Sequence, residues 1–92
     1  MTERSVSDVW HISSAVVTAF PEWCSDVVRR IKALPDTEIH YVQNSKIVIV
    51  LEGPSTDVIG SRLATIALMD GVLSANLVFE QIETLNDPGD AS

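Results

Sequence analysis

The stretch "SKIVIVLEG", residues 45–53, contains five consecutive aliphatic residues, from Ile47 to Leu51. Successive side chains of a β-strand point to opposite faces of the sheet, so a strand with one face in water alternates apolar and polar residues. These five residues do not alternate. We therefore expect both faces of this strand to be covered, and the question is what covers the second one.

Two strands and a helix are predicted on the N-terminal side of this stretch. β-Branched residues dominate residues 10–18 and indicate a first strand. Pro21 suits the first turn of a helix, whose apolar residues recur at helical spacing toward the sheet: Cys24, Val27, Val28, Ile31 and Leu34. A proline ends this helix, the alternation of residues 37–42 predicts a second strand, and a short polar turn leads into the quoted strand.

A second helix and a fourth strand are predicted after the quoted strand. Gly53 and Pro54 break that strand, and Ser55 or Thr56 can cap the helix that follows. The predicted buried positions of this helix are Ile59, Leu63, Ile66 and Ala67. Gly71 suits the left-handed position found after a helix, and residues 72–82 form the fourth strand.

The order of elements is therefore βαββαβ. Two split βαβ units with right-handed crossovers predict an α+β fold, the ferredoxin-like sandwich, in which both helices cover one face of a four-stranded antiparallel sheet. The first and third strands lie in the middle of the sheet. We expect the domain to span residues 9–83, with a flexible N-terminus at residues 1–8 and a disordered acidic tail at residues 84–92.

The alternation of side chains divides the strands between the helix side and an open face, which is the face that the helices leave uncovered. The helix side is predicted to carry Ala15, Val17, Ala19, Ile39, Tyr41, Ile47, Ile49, Leu51, Leu73, Leu77 and Phe79. The open face is predicted to carry Ile12, Ser14, Val16, His40, Val42, Val48, Val50, Ser74, Asn76 and Val78. Its charged margins are Glu38, Lys46, Glu52 and Glu80. An apolar trough with acidic margins is typical of a binding surface.

Composition and charge exclude several function classes. Ninety-two residues form one domain, and 13 acidic against 6 basic side chains give a net charge of −7, which argues against nucleic-acid binding. A single cysteine excludes an internal disulfide and fits a reducing compartment. No segment has the length of apolar sequence that a membrane span needs, and the first ten residues lack the apolar run of a signal peptide. We therefore expect a soluble cytoplasmic protein.

No catalytic or metal site is predicted, so we expect neither an enzyme nor a bound cofactor. His11 and His40 lie on different predicted strands, and neither has a cysteine or carboxylate at the spacing of metal ligands. We expect His11 to be an exposed edge residue and His40 to stand on the open face, where it can contact a ligand. Cys24 falls on the inner stripe of the first helix and behaves as a small core residue.

Four segments of the chain resemble the NapD family. They are "WHISSAVVTAFPEW" from Trp10, "LPDTEIHYV" from Leu34, "KIVIVLEG" from Lys46 and "MDGVLSANLVFEQIE" from Met69, and the resemblance spans about residues 9–83. It implies the ferredoxin-like fold and a cytoplasmic chaperone that binds the twin-arginine signal peptide of the nitrate reductase catalytic subunit. It also implies that export is delayed while the molybdenum cofactor and iron–sulfur cluster are inserted into that subunit. The chaperone itself is expected to carry neither cofactor.

The open face of the predicted sheet suits such a peptide. A twin-arginine signal has a basic segment followed by an apolar helix, and an apolar trough with acidic margins complements both parts. This assignment comes from the predicted sheet and not from known family residues. The predicted peptide-binding residues are Ile12, Ser14, Val16, His40, Val48, Val50, Asn76 and Val78, with Glu38, Glu52 and Glu80 as partners for arginine.

Two other functions fit the same order of elements. A small-molecule regulatory domain of the ACT type shares the βαββαβ order, but "TAFPEW", from Thr18, lacks the glycine expected in the turn after the first strand. A dimeric structural module would stack two open faces, sheet on sheet. A weak homodimer is also compatible with a peptide-binding chaperone.

Overall fold

A computed structural model describes residues 9–84 of the chain, with side chains as far as Ile82. Its elements are β1 (Val9–Ala19), α1 (Cys24–Lys32), β2 (Thr37–Gln43), β3 (Lys46–Gly53), α2 (Thr56–Ala67) and β4 (Val72–Thr84), with a 3-10 turn at Pro21–Trp23 before α1. The predicted flexible segment 1–8 lies outside the described residues, as does the predicted tail from residue 85 onward. Thr84, which we placed in the tail, is the last residue of β4.

The four strands form one antiparallel sheet in the order β2-β3-β1-β4. Two helices pack on one face of this sheet, α1 mainly against β2 and α2 mainly against β4. The prediction of a ferredoxin-like sandwich with its first and third strands in the middle is confirmed. The other face of the sheet carries no helix of the described chain and is the open face.

The hydrophobic core lies between the sheet and the helices. Its fully buried residues are Ala15, Val17 and Ala19 of β1, Ile47, Ile49 and Leu51 of β3, Val27 and Ile31 of α1, and Ile59 and Ile66 of α2. The inward sets predicted for β1 and β3 are therefore confirmed. Ala67, which we predicted to be buried, is exposed. Ile66 takes the buried position on that turn, and the next residue is rotated by about 100° around the helix.

Local signals in the sequence account for the connections between these elements. Ser55 is the N-cap of α2, and its Oγ accepts a hydrogen bond of 3.2 Å from the amide of Val58. Asn44 and Ser45 have φ angles of 52° and 68°, which match the two-residue turns that join antiparallel strands.

A bulge in β2 changes which of its side chains face the helices. Ile39 pairs with a buried residue of β3, whereas Tyr41 pairs with an open-face valine, so His40 is the extra residue between them. One extra residue in a strand reverses the facing of every residue that follows. Our assignments of Tyr41 and Val42 are therefore wrong, because Tyr41 lies on the open face and Val42 shares the helix side with Ile47.

A second bulge has the same effect on β4. Leu77 pairs with a buried alanine of β1 and Phe79 with an open-face serine, so Val78 is the extra residue. Phe79 therefore lies on the open face, and Glu80 pairs with a buried residue of β1 on the helix side. Both assignments contradict the prediction. Another register shift makes Leu73, which we predicted on the helix side, the extra residue near the start of β4, and its side chain is exposed.

Gly71 connects the end of α2 to β4 in a conformation that few other residues adopt. Its φ angle is 92°, and a Cβ added at this position would overlap the side chain of Trp23. Its carbonyl also accepts a hydrogen bond of 2.9 Å from the amide of Phe20, so the backbone cannot move away without breaking this contact.

We predict that Gly71→Ala lowers the free energy of unfolding by about 2–5 kcal/mol. The left-handed φ angle costs about 1–3 kcal/mol for a residue with a Cβ, and the overlap with Trp23 adds a cost of similar size. Chemical denaturation of the variant measures the loss. Gly60→Ala is the matched control, because nothing lies within 4 Å of its added Cβ. Gly60 lies within α2, so this control should gain about 0.5–1 kcal/mol. A Gly71→Ala protein as stable as wild type would contradict this account.

Candidate functional site: the open face of the sheet

The pairing of the strands arranges the open face in rows that run across the sheet. The two central rows, from β4 through β1 and β3 to β2, are Phe79–Ser14–Val50–Glu38 and Asn76–Val16–Val48–Tyr41. The outer row at the end where β1 begins contains Gln81, Ile12 and Glu52. The outer row at the other end contains Ser74, Thr18, Lys46 and Gln43.

The floor of the open face is apolar and shallow. Ile12, Val16, Val48 and Val50 lie on the two middle strands and are only half-buried, although each points away from the helices. Ser14 is the small residue among them. Four half-buried aliphatic side chains on two neighbouring strands form a surface that a second apolar group can cover.

One end of the open face is acidic. A hollow of about 230 Å³ is lined there by Asp36, Thr37, Glu38, Val50 and Glu52. None of its three carboxylates forms an ion pair within residues 9–84. The cluster can therefore accept a cation from outside the chain, and the residues provide several carboxylate oxygens for charge-assisted hydrogen bonds.

Trp10 holds one of these carboxylates in place. Its indole Nε1–H donates a hydrogen bond of 2.9 Å to Oε1 of Glu52, across the boundary between β1 and β3. Trp10 is half-buried and follows the same alternation as Ile12, so it extends the open face beyond its outer row. The guanidinium of Arg62 approaches from α2 and donates a hydrogen bond of 2.8 Å to the backbone carbonyl of Glu52. Because Arg62 binds the backbone, the carboxylate of Glu52 stays available on the open face.

The opposite end of the open face carries a cation and polar side chains. A hollow of about 370 Å³ is lined by Val16, Tyr41, Gln43, Asn44, Lys46 and Val48. The open face therefore changes along the strands from carboxylates at one end, through a valine floor, to a lysine at the other.

Most of the predicted site residues lie on this surface. Ile12, Ser14, Val16, Val48, Val50 and Asn76 belong to its rows, and Glu38 and Glu52 stand at its acidic end. His40 and Val78 are the extra residues of the two bulges, and both are exposed. The ring centroid of His40 lies 6.4 Å from that of Tyr41.

Glu80 does not lie on the open face, because the bulge at Val78 turns it to the helix side. There its Oε2 lies 3.3 Å from Nδ1 of His11. Our prediction that His11 is an exposed edge residue is also wrong, since β1 is a central strand and only 13% of the His11 side chain is exposed. Among the described residues, no three His, Cys, Asp or Glu side chains come close enough together to hold a metal ion. Residues 9–84 also contain no helix long and apolar enough to span a membrane.

Another hollow lies on the helix side, where α2 approaches the end of α1. It measures about 400 Å³ and is lined by Leu34, Asp57, Val58, Ser61, Arg62 and Thr65. Four of its six lining residues are polar or charged, and the guanidinium of Arg62 already donates to the backbone carbonyl of Glu52. The open face combines a continuous apolar floor with unpaired carboxylates, and it is the stronger candidate for a binding site.

Sequence reasoning missed the three aromatic residues of the site, and also Asp36 and Thr37 at its acidic end. Trp10 continues the alternation of Ile12, Ser14 and Val16 and could have been assigned from that pattern. Tyr41 and Phe79 could not, because large apolar residues at inward positions are expected in the core and nothing in the alternation marks the extra residue before each of them.

We predict that Trp10→Phe lowers the free energy of unfolding by about 1 kcal/mol, because it removes the indole donor from a half-buried carboxylate. Urea denaturation measures the difference. Glu52→Gln is the matched control, since its amide oxygen can still accept from Trp10, and it should lose less stability than Trp10→Phe. Equal stabilities of wild type and Trp10→Phe would show that this hydrogen bond contributes nothing.

Comparison with known proteins gives a consistent result. The sequence model of a family described as "NapD protein" matches residues 10–84. A Paracoccus pantotrophus protein named "Chaperone NapD" is 56% identical over 72 residues, which are 78% of this chain and 64% of that protein. The chain thus spans about 64% of the length of this relative. An Escherichia coli K12 protein of the same name is 26% identical over 76 residues, covering 80% of this chain and 87% of that one.

One solved structure has the same fold. It is the solution structure of the E. coli Tat proofreading chaperone protein NapD, which superposes with a TM-score of 0.72 at 25% sequence identity and covers 90% of each chain.

Proposed function

The chain belongs to the NapD family, and on that premise we propose that it is a chaperone that binds a twin-arginine signal peptide on the open face of its sheet. Its relatives are named as chaperones, and the solved one is titled a Tat proofreading chaperone. The client is the precursor of the periplasmic nitrate reductase catalytic subunit. Bound chaperone delays export of this precursor until its cofactors are inserted. Membership of this family favours the chaperone over an ACT-type regulatory domain.

The observation that carries this proposal is the continuity of the valine floor with the acidic hollow. Val16, Val48 and Val50 provide an apolar surface, and Glu38 and Glu52 stand at one end of it. A twin-arginine signal has the matching order, with a basic segment followed by an apolar helix. Coverage of this floor by a peptide helix also answers why the third strand is apolar on both faces.

Apolar burial alone would give weak binding. If the peptide covered about 400 Å² of apolar surface, the gross gain at ~25 cal/mol per Å² would be about 10 kcal/mol. Association costs of roughly 4–15 kcal/mol would remove much or all of this gain. The arginines must therefore contribute, and charge-assisted hydrogen bonds to Glu38 and Glu52 are their means of doing so.

We predict that a synthetic twin-arginine signal peptide binds the purified chain and that the affinity falls as salt is raised. Screening weakens the contacts between arginine and carboxylate but leaves the apolar contact intact. Isothermal titration at two salt concentrations measures this dependence, and a peptide with both arginines changed to alanine should bind more weakly. No heat of binding with protein at about 100 µM, where even micromolar affinity would register, would contradict the proposed function.

A change in the middle of the floor should weaken binding without unfolding the protein. Val48→Asp places a carboxylate where the peptide would bury it, and we expect the affinity to fall at least about tenfold. The side chain is half-exposed in the free protein, so its melting temperature should change little. Ser61→Asp introduces the same charge on the exposed side of α2 and should bind like wild type. Equal affinities for the two variants would argue against the open face as the binding surface.

A further inference from the structure

Both edge strands use a bulge to bring an aromatic residue to the open face. Tyr41 follows the extra residue of β2, and Phe79 follows the extra residue of β4. Without the bulges, both rings would point toward the helices. Their exposed fractions are 53% and 58%, which is high for large apolar side chains in regular strands. The free protein gains little from rings in this position, whereas a bound partner could bury both of them.

The two rings face each other diagonally across the sheet. Tyr41 lies in the row of Val16 and Val48, and Phe79 lies in the neighbouring row, on the opposite edge. Three strand spacings of about 4.8 Å separate β2 from β4, and the two rows are about 7 Å apart along the strands, so the Cα atoms are about 16 Å apart. An α-helix with its side chains is about 10–12 Å wide. One helix fits between the two edges, and two do not.

We propose that Tyr41 and Phe79 hold the helix of the signal peptide from opposite edges of the open face and so set its position on the sheet. This inference rests on the proposed function. Aromatic rings supply large contact areas at the flanks of a helix, where the flat valine floor supplies none. Because the rings lie in neighbouring rows, they contact the helix at two levels about 7 Å apart along the strands.

The surroundings of each ring support this role. His40 stands beside Tyr41 with an angle of 54° between the ring planes, so a second ring extends the contact area on that edge. Val78, with 59% of its surface exposed, lies next to Phe79 and widens the apolar margin on that edge. The acidic hollow lies at one end of the open face, so a peptide helix between the two rings can place its basic segment beside these carboxylates.

Alanine substitution tests the two rings directly. We expect Tyr41→Ala and Phe79→Ala each to weaken binding of the synthetic twin-arginine peptide by roughly five- to tenfold, and the double variant to weaken it further. Tyr41→Phe and Phe79→Tyr keep the rings and should bind within about twofold of wild type. Ile82→Ala is the matched control, since Ile82 is 59% exposed on the same strand but lies on the helix side, and it should leave the affinity unchanged.

The position of the peptide provides a second measurement. A spin label at the centre of the peptide helix should broaden the amide signals of residues on both edge strands, near Tyr41 and near Phe79. If wild type binds the peptide but the double variant binds equally well, or if only one edge is broadened, the proposed role of the two rings is wrong and the proposed function stands. If wild type does not bind the peptide, both are wrong.

Discussion

The antiparallel pairing of β1 with β3 is the constraint on which the rest of the structure depends. Ala15 pairs with Ile49 in the core, and Val16 pairs with Val48 on the open face. The register of this one pair of strands therefore decides which side chains lie on each face of the sheet. A slip of one residue would exchange the two sets. The helices cover one face with their apolar stripes, and the other face keeps half-buried valines that no helix of residues 9–84 covers.

The regular parts of the chain could be predicted and the irregular parts could not. β1 and β3 pair without a register shift, so their side chains point alternately to the two faces, and their buried residues, the order of the elements and the fold could be predicted from the sequence. The pairing is interrupted at one place in β2 and at two places in β4, and these irregularities misplaced Tyr41, Val42, Leu73, Phe79 and Glu80. A bulge arises from the backbone geometry that pairing and packing impose on an edge strand. Neither His40 nor Val78 is a residue type that predicts one.

Bulges in edge strands also limit unwanted pairing between sheets, because they twist the unpaired edge away from the flat geometry that another strand requires. In this chain, they occur in both edge strands and also bring an aromatic side chain to the face that we propose binds the peptide. The same departure from regular pairing can therefore protect the edges and shape the site. In a sheet of only four strands, both edge strands border the proposed binding surface, so one bulge can serve both purposes.

The two tryptophans stand at opposite ends of the β1–β4 pair, and their environments differ. Trp23 packs against Gly71, far from the carboxylates, whereas the indole of Trp10 is hydrogen-bonded to Glu52 at the acidic end of the open face. The chain thus contains its own optical reporter. A guanidinium that arrives at Glu52 alters the surroundings of one indole and leaves the other unchanged, so the wavelength of intrinsic emission can follow occupancy without any attached dye.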